Sequence, residues 1–480
     1  MGSISKKKLI VCCDGTWMNA TGSPSAKDIY DRPTDPILQT PSNVTRICRS
    51  LTKSDDDGIE QITFYQSGVG SGNIVNSAEG GLVGQGISEN IRAAYLFIAA
   101  NYNQQANDEL YLVGFSRGSF TVRSIAAFIS DVGLLTPAGM VHFYPIFQDW
   151  ENQIMPGYKT NFPSRPFPPA PGKSARPNLF SEKAAYVAEL HRLGFTTRDV
   201  KIKVVACFDT VGSLGIPRIG PFSTEHAVRG MDYAFVDTEL PPAVEHAIHA
   251  LALDEKRKPF APTMWKLPNP LPGQSLLQVW FPGAHSDVGG SYPDTRSADL
   301  TLAWMVSQLE RFLSFDEKVL QMQYQLPAKD KDPRPWGCGP IHNSSNPTYW
   351  AFGTDPRTPL DYNEYDHTTG KEYQPEIPLI ETHEYAHASL RIRQGVPGKD
   401  IEDSGPYRPG SLSGWKLQGA AAAPLPSGAT LTQVQEAQRN ICWVKGEKKL
   451  KEAVLEETEW KLLQLVEPGC EVKFCCVVPK

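Results

Sequence analysis

A serine hydroxyl is a weak nucleophile until a neighbouring base takes its proton, and it reaches a substrate only from an accessible, strained turn. Residues 114–118, Gly-Phe-Ser-Arg-Gly, have the form GxSxG and are flanked by an apolar run at 110–113 and a helical pattern at 119–129. That context supplies what such a turn needs. Gly114 and Gly118 let two backbones pass closely, and the N–H groups opening the helix face the place where an oxyanion would form. A GxSxG alone arises by chance in long chains, so the strand before and the helix after give this one its weight.

The base and the acid that orients it are sought in the order serine, acid, histidine, each just beyond a strand, as in α/β-hydrolases. Asp209 follows the run KVVACF, and His285 follows LLQVWF through Pro282-Gly283-Ala284. No other acid or histidine follows an expected strand so directly. Singly, Asp209 reads as a turn residue and His285 as a loop histidine; with Ser116 they read as a catalytic triad for cleaving a carboxylic ester or related acyl bond, without cofactor or metal. Activity should then rise with pH as the imidazole loses its proton. Phospholipid, simple ester, lactone and thioester share one tetrahedral intermediate, so the triad leaves the small-molecule or lipid acyl substrate open. For the oxyanion hole, the Arg117 amide is one donor, and the turn Asp14-Gly15-Thr16 is placed to offer a second through Gly15. Asp14 reads equally as a turn aspartate bonding its own N–H groups. Asp287 and Thr16 are candidates for supporting the site, Asp287 as a cap of its loop more than as a metal ligand.

Two motifs compete. His383-Glu384-Tyr385-Ala386-His387 is a literal HExxH, which on a helix would place two histidines on one zinc ion and a glutamate on its water. Pro378 nearby, the shortness of any helix there, and the lack of a later histidine ligand argue instead for a surface or domain-contact segment. SGVGSGN at 67–73 lacks the lysine and following helix of a phosphate loop and reads as a tight loop. A chain with none of these chemistries would be a non-catalytic scaffold.

The elements that must position these residues are short continuous apolar runs at 8–13, 62–65, 110–113, 203–208 and 276–281, interspersed with helical patterns at 86–103, 119–129 and 299–312. The expected fold class is α/β: an α/β-hydrolase-like, mostly parallel sheet with helices on both faces. The catalytic domain should span 1–418, with a cap-like insertion at 141–193 covering the site and a Pro-rich segment at 327–378. Residues 419–480 read as a linker and a small appendage, a helix over 446–465 and a strand over 470–478.

The 480 residues carry a net charge of −6 and nine cysteines. The acidic balance gives no electrostatic reason to bind nucleic acid or an anionic membrane. An odd number of scattered cysteines is no disulfide framework, and most read as buried thiols. With 40 prolines, long ordered loops around the core are expected. No export signal, lipidation box in register, or apolar run of membrane-spanning length is evident, so a cytoplasmic protein without integral membrane segments is expected. Oligomeric state is left open.

Taken together, CCDGT, GFSRGSF, FDTVGSLG and FPGAHSDVGGSY resemble the DUF2235 group of α/β-hydrolases, which includes the Tle1-like phospholipase effectors of bacterial type VI secretion and many fungal proteins. The motifs span residues 12–292. The resemblance implies an α/β-hydrolase core with Ser116, Asp209 and His285 as its triad, and a structural His387 in the later stretch HASLRIR.

Overall fold

Strands in this chain are built from runs apolar at every position, which suits a sheet covered on both faces. The computed structural model describes residues 5–15, 40–68, 82–153, 158–167, 182–211, 238–324, 334–344, 353–366, 371–372, 374–419, 425 and 428–467. Thr16, most of the SGVGSGN loop, most of the 419–428 linker and the expected strand at 470–478 lie outside them.

One ten-stranded sheet organises the molecule. Its strands are β1 (Lys7–Cys13), β2 (Glu60–Gln66), β3 (Glu109–Phe115), β4 (Ile202–Phe208), β5 (Val244–Ala252), β6 (Ser275–Phe281), β7 (Glu384–Ala386), β8 (Lys416–Gln418), β9 (Cys442–Lys445) and β10 (Lys448–Glu452). In space they run β2-β1-β3-β4-β5-β6-β7-β10-β9-β8. Every pairing from β2 to β10 is parallel, and only those of β9 are antiparallel. Helices α1 (Asn43–Ser50), α2 (Leu82–Asn101), α3 (Arg117–Val132), α4 (Phe143–Glu151), α5 (Lys183–Arg192), α6 (His285–Gly289), α7 (Arg296–Leu309), α8 (Ala388–Gln394) and α9 (Glu457–Val466) accompany it. Alternate residues of one strand enter different cores. Leu9, Val11 and Cys13 pack with Ile91 of α2 and Ile125 of α3, whereas Ile10 and Cys12 pack with Ile47 of α1 and Trp304 of α7. The fold class is thus α/β with helices on both faces of a mostly parallel sheet, as expected.

Strand order reverses at β1, whose neighbours are β2 on one side and β3 on the other. In open α/β sheets the chemistry usually lies beyond the carboxyl ends of the strands at such a reversal. Asp14 and Ser116 stand at those ends of β1 and β3.

Three expectations are corrected. Residues 244–252 and 384–386 are parallel strands of the sheet that the apolar runs did not reveal. Residues 448–452, expected in a helix, form β10, and the C-terminal helix is confined to Glu457–Val466. The HExxH lies on β7 and its ends, where four residues span about 13 Å rather than one helical turn, so the two histidines cannot share a metal ion. Glu384 and His387 are also buried, not at the surface. The described part of 141–193 makes its contacts on the C-terminal half of α3. Rings of Phe143, Phe147 and Trp150 gather on Phe128, the Trp150 indole donates to Asp131 at 2.8 Å, and Tyr186 of α5 donates to Asp149 at 2.8 Å. Phe128 is eleven residues along α3 from Arg117, about 16 Å down the helix. Among the described residues no helix is long and apolar enough to cross a membrane.

Candidate active site

The turn from β3 into α3 carries Ser116 at φ 57°, ψ −121°, a strained conformation for a residue with a side chain. It is anchored by its own N–H, which donates to Phe208 O on β4 at 3.1 Å, and by its carbonyl, which accepts from Phe120 N at 3.3 Å. The flanking glycines are sterically required. A Cβ on Gly114 would lie 2.6 Å from Gly118 O and the Ser119 backbone, and one on Gly118 would lie 2.1 Å from Cys13 O. The second contact shows α3 seated directly against the end of β1. Gly15 is placed the same way, since a Cβ there would lie 2.9 Å from the Phe115 ring and 3.3 Å from Ser116 Cβ.

Asp209 follows β4 with φ 35° and is fully buried. Its Oδ1 accepts from Ala252 N at 3.0 Å, and its Oδ2 meets His285 Nδ1 at 2.7 Å and accepts from Arg357 Nη2 at 3.1 Å. Burial alone would raise the Asp209 carboxyl. The Arg357 charge, the His285 contact and the Ala252 amide outweigh it and hold the group well below the carboxylate range, so it is an anion. His285 opens α6, 4% exposed. Its ring lies against Phe115 at 4.7 Å between centroids and meets the edge of Phe260 at 5.0 Å, which places the imidazole beside the residue that precedes Ser116. Its amide donates to Glu255 Oε2 at 3.2 Å. The structure therefore brings Asp209 and His285 into direct contact and sets Ser116 on the adjoining strand end.

Asp14 adopts the turn-building one of its two readings. Oδ1 accepts from the Gly15 amide at 2.7 Å, and Oδ2 accepts from Ser42 at 2.7 Å, Thr45 at 2.8 Å and Tyr65 at 2.7 Å. Burial raises this carboxyl despite those four donors. The Gly15 N–H is thus bonded to Asp14 instead of being directed at the site, because a carboxyl oxygen one residue away captures it. Asp287 caps its own loop: Oδ2 accepts from Ala284 N at 2.9 Å and His342 N at 3.0 Å, while Oδ1 meets His342 Nδ1 at 2.6 Å.

Sequence reading missed the acids that end β5. Glu255 is buried, holds the His285 amide and pairs with Arg257 at 2.8 Å. Asp254 accepts from Gly283 N at 2.7 Å and from Tyr407 at 2.8 Å. Burial lifts Asp254 to about 6 against those bonds. Had 244–252 been read as a strand, the Asp-Glu pair at its end would have been a signal. Arg357 stands in a proline-rich stretch without periodicity, and nothing local marks it.

A mostly parallel sheet with a strained serine turn and an Asp–His pair at its strand ends defines the α/β-hydrolase class of architecture. Within that class, this chain belongs to the family of Tle1-like catalytic domains of type VI secretion phospholipase effectors, which it matches over residues 7–308. It is similar to the uncharacterised protein YEL023C of Saccharomyces cerevisiae, 26% identical over an alignment of 279 residues, with 54% of this chain and 32% of the yeast protein covered. Solved structures similar to it include the Tle1 effector bound to the VgrG spike, at 16% identity and TM-score 0.29 over 60% of this chain and 52% of that one. Another is an uncharacterised protein from Pseudomonas aeruginosa, at 16% identity and TM-score 0.31 over 64% and 45%. The chain thus spans about a third of the yeast relative and about half of these structures.

Proposed function

We propose that the chain is a serine hydrolase that cleaves a carboxylic ester through an acyl-enzyme, with Ser116 as nucleophile, His285 as base and Asp209 as orienting acid. The observation that carries this reading is the 2.7 Å contact of Asp209 with His285 Nδ1, on a ring packed against the neighbour of a strained strand-end serine. An ionised Asp209 holds the Nδ1 proton and leaves Nε2 to take the proton of Ser116 Oγ as the hydroxyl attacks the carbonyl. The imidazolium then gives that proton to the departing alkoxide, and water repeats the sequence to release the acid. The Arg117 amide, first of α3, is the oxyanion donor of this reading. Gly15 serves it by letting the β1 turn approach Ser116, with its own N–H kept by Asp14.

Membership of a phospholipase family makes an acyl ester of a glycerophospholipid the proposed substrate class. Purified protein offered acyl esters of increasing chain length and head-group size should prefer the phospholipids. Ser116→Ala should lose nearly all turnover, on the order of 10⁶ in kcat, while keeping its melting temperature. A folded Ser116→Ala protein that still turns over would end the proposal.

A further inference from the structure

Arg357 lies beyond the 7–308 match, on a strap that runs antiparallel to the chain following β5. Thr354 bridges Arg257, Asp355 N donates to Lys256 O at 2.8 Å, and Lys258 N donates to Gly353 O at 3.4 Å. The strap ends by burying Arg357 to 1% exposure. One nitrogen, Nη2, donates both to Asp209 Oδ2 at 3.1 Å and to Phe260 O at 2.7 Å. That Oδ2 is the oxygen that meets His285, and Phe260 is the ring that walls His285. The guanidinium therefore ties the acid and the aromatic wall of the imidazole to one point.

We propose, building on the hydrolase reading, that Arg357 is a positioning residue of the site: it clamps Asp209 and Phe260 together and offsets the aspartate charge felt by His285. Removing the positive charge leaves the carboxylate pull on the imidazolium unopposed. The histidine then keeps its proton to higher pH, and the acidic limb of kcat/KM moves up. With 3.1 Å from Nη2 to Oδ2 and 2.7 Å from Oδ2 to Nδ1, the guanidinium nitrogen is no farther than about 6 Å from the ring, where a unit charge at an effective dielectric of about 20 moves a titration by up to roughly two pH units. Relayed through Asp209, a shift of about one unit is expected.

The other groups around this cluster are common to every variant compared. His249 on β5 is pushed down to about 3 by burial. Burial pushes Tyr362 up out of the range, and Glu255 is held low by Arg257 against its burial. Arg123 of α3 is permanently charged. Burial lifts Asp254 to about 6 and the bond to Asp287 raises His342, and both groups are present in wild type and Arg357 variants alike.

The test is the pH profile of kcat/KM for wild type, Arg357→Gln and Arg357→Lys on one soluble acyl ester. The glutamine variant should show its acidic limb about one unit higher, with a roughly tenfold deficit one unit below the wild-type limb beyond any loss at the alkaline plateau. The lysine variant, which keeps the charge, should restore the limb. A glutamine limb that coincides with wild type overturns the proposal, whatever its plateau. Should the glutamine variant not fold, the wild type decides by arginine-selective ¹⁵N NMR. The Arg357 side-chain signal should titrate with the midpoint of the acidic limb, and a signal indifferent to pH there overturns the proposal. Ser116→Ala measured alongside separates the two readings, since turnover by that variant would fail the hydrolase assignment independently of any limb.

Discussion

Gly118 shows how little freedom the site leaves at the level of single atoms. An alanine is the better helix former by about 1 kcal/mol, but here its Cβ would stand 2.1 Å from the Cys13 carbonyl, and neither backbone can yield without parting α3 from β1. Overpacking of this kind costs about 3 kcal/mol or more, so the clash wins. Gly118→Ala should lower the unfolding free energy measured by urea titration by that amount and slow covalent capture at Ser116; an unchanged midpoint would mean that the turn is looser than described. Asp254 adds a pH dependence with a definite sign. Burial raises it to about 6, against about 3.9 for an ordinary aspartate, so the folded protein keeps a proton that the unfolded chain has released. Its penalty is absent below pH about 4, grows as pH rises to 6 and is complete above, about 3 kcal/mol in all. Asp254→Asn removes it. The melting-temperature difference between variant and wild type should thus be more favourable to the variant at pH 7 than at pH 4, and an equal difference at both would contradict the assignment.

Among the elements, β1, β3, β4 and β6 were legible because both of their faces are buried and nearly every residue is apolar. The serine turn and the Asp209 and His285 loops followed from them. Strand β5 was not legible: Glu245, His246 and His249 interrupt its pattern, although His249 is buried and satisfied by the Thr210 amide and Gln278. Strand β7 has three residues and earns its place only by pairing with β6 and β10, partners that come from distant sequence. Its neighbour His387 caps α8 and joins it to α9, with Nδ1 facing Ser389 at 2.7 Å and Nε2 facing Glu459 at 2.8 Å. The structural role given to this histidine by resemblance is the one this geometry supports. His387→Ala should cost about 1–3 kcal/mol by leaving Glu459 with a lost partner, while capture at Ser116 per folded molecule stays at the wild-type rate. Loss of capture in a protein that still melts cooperatively would place the base at His387 instead.

Across the whole molecule, the family match ends at residue 308, yet the sheet continues through β7, β10, β9 and β8, all from later sequence. The later chain also returns Arg357 to Asp209 and packs α9 on α7, where Glu459 N donates to Ser307 at 3.1 Å and Thr458 donates to Glu310 at 2.6 Å. No sequence pattern could announce this, because those contacts are made by isolated side chains across long separations. The proposed convergence of three strand ends that would make Ser116 a nucleophile can be tested with a fluorophosphonate and peptide mapping. The wild type should carry one adduct, on Ser116, and His285→Ala should form it orders of magnitude more slowly because the hydroxyl has lost its base. An adduct on another residue, or capture at Ser116 that proceeds at the same rate in folded His285→Ala, would rule out Ser116 activated by His285.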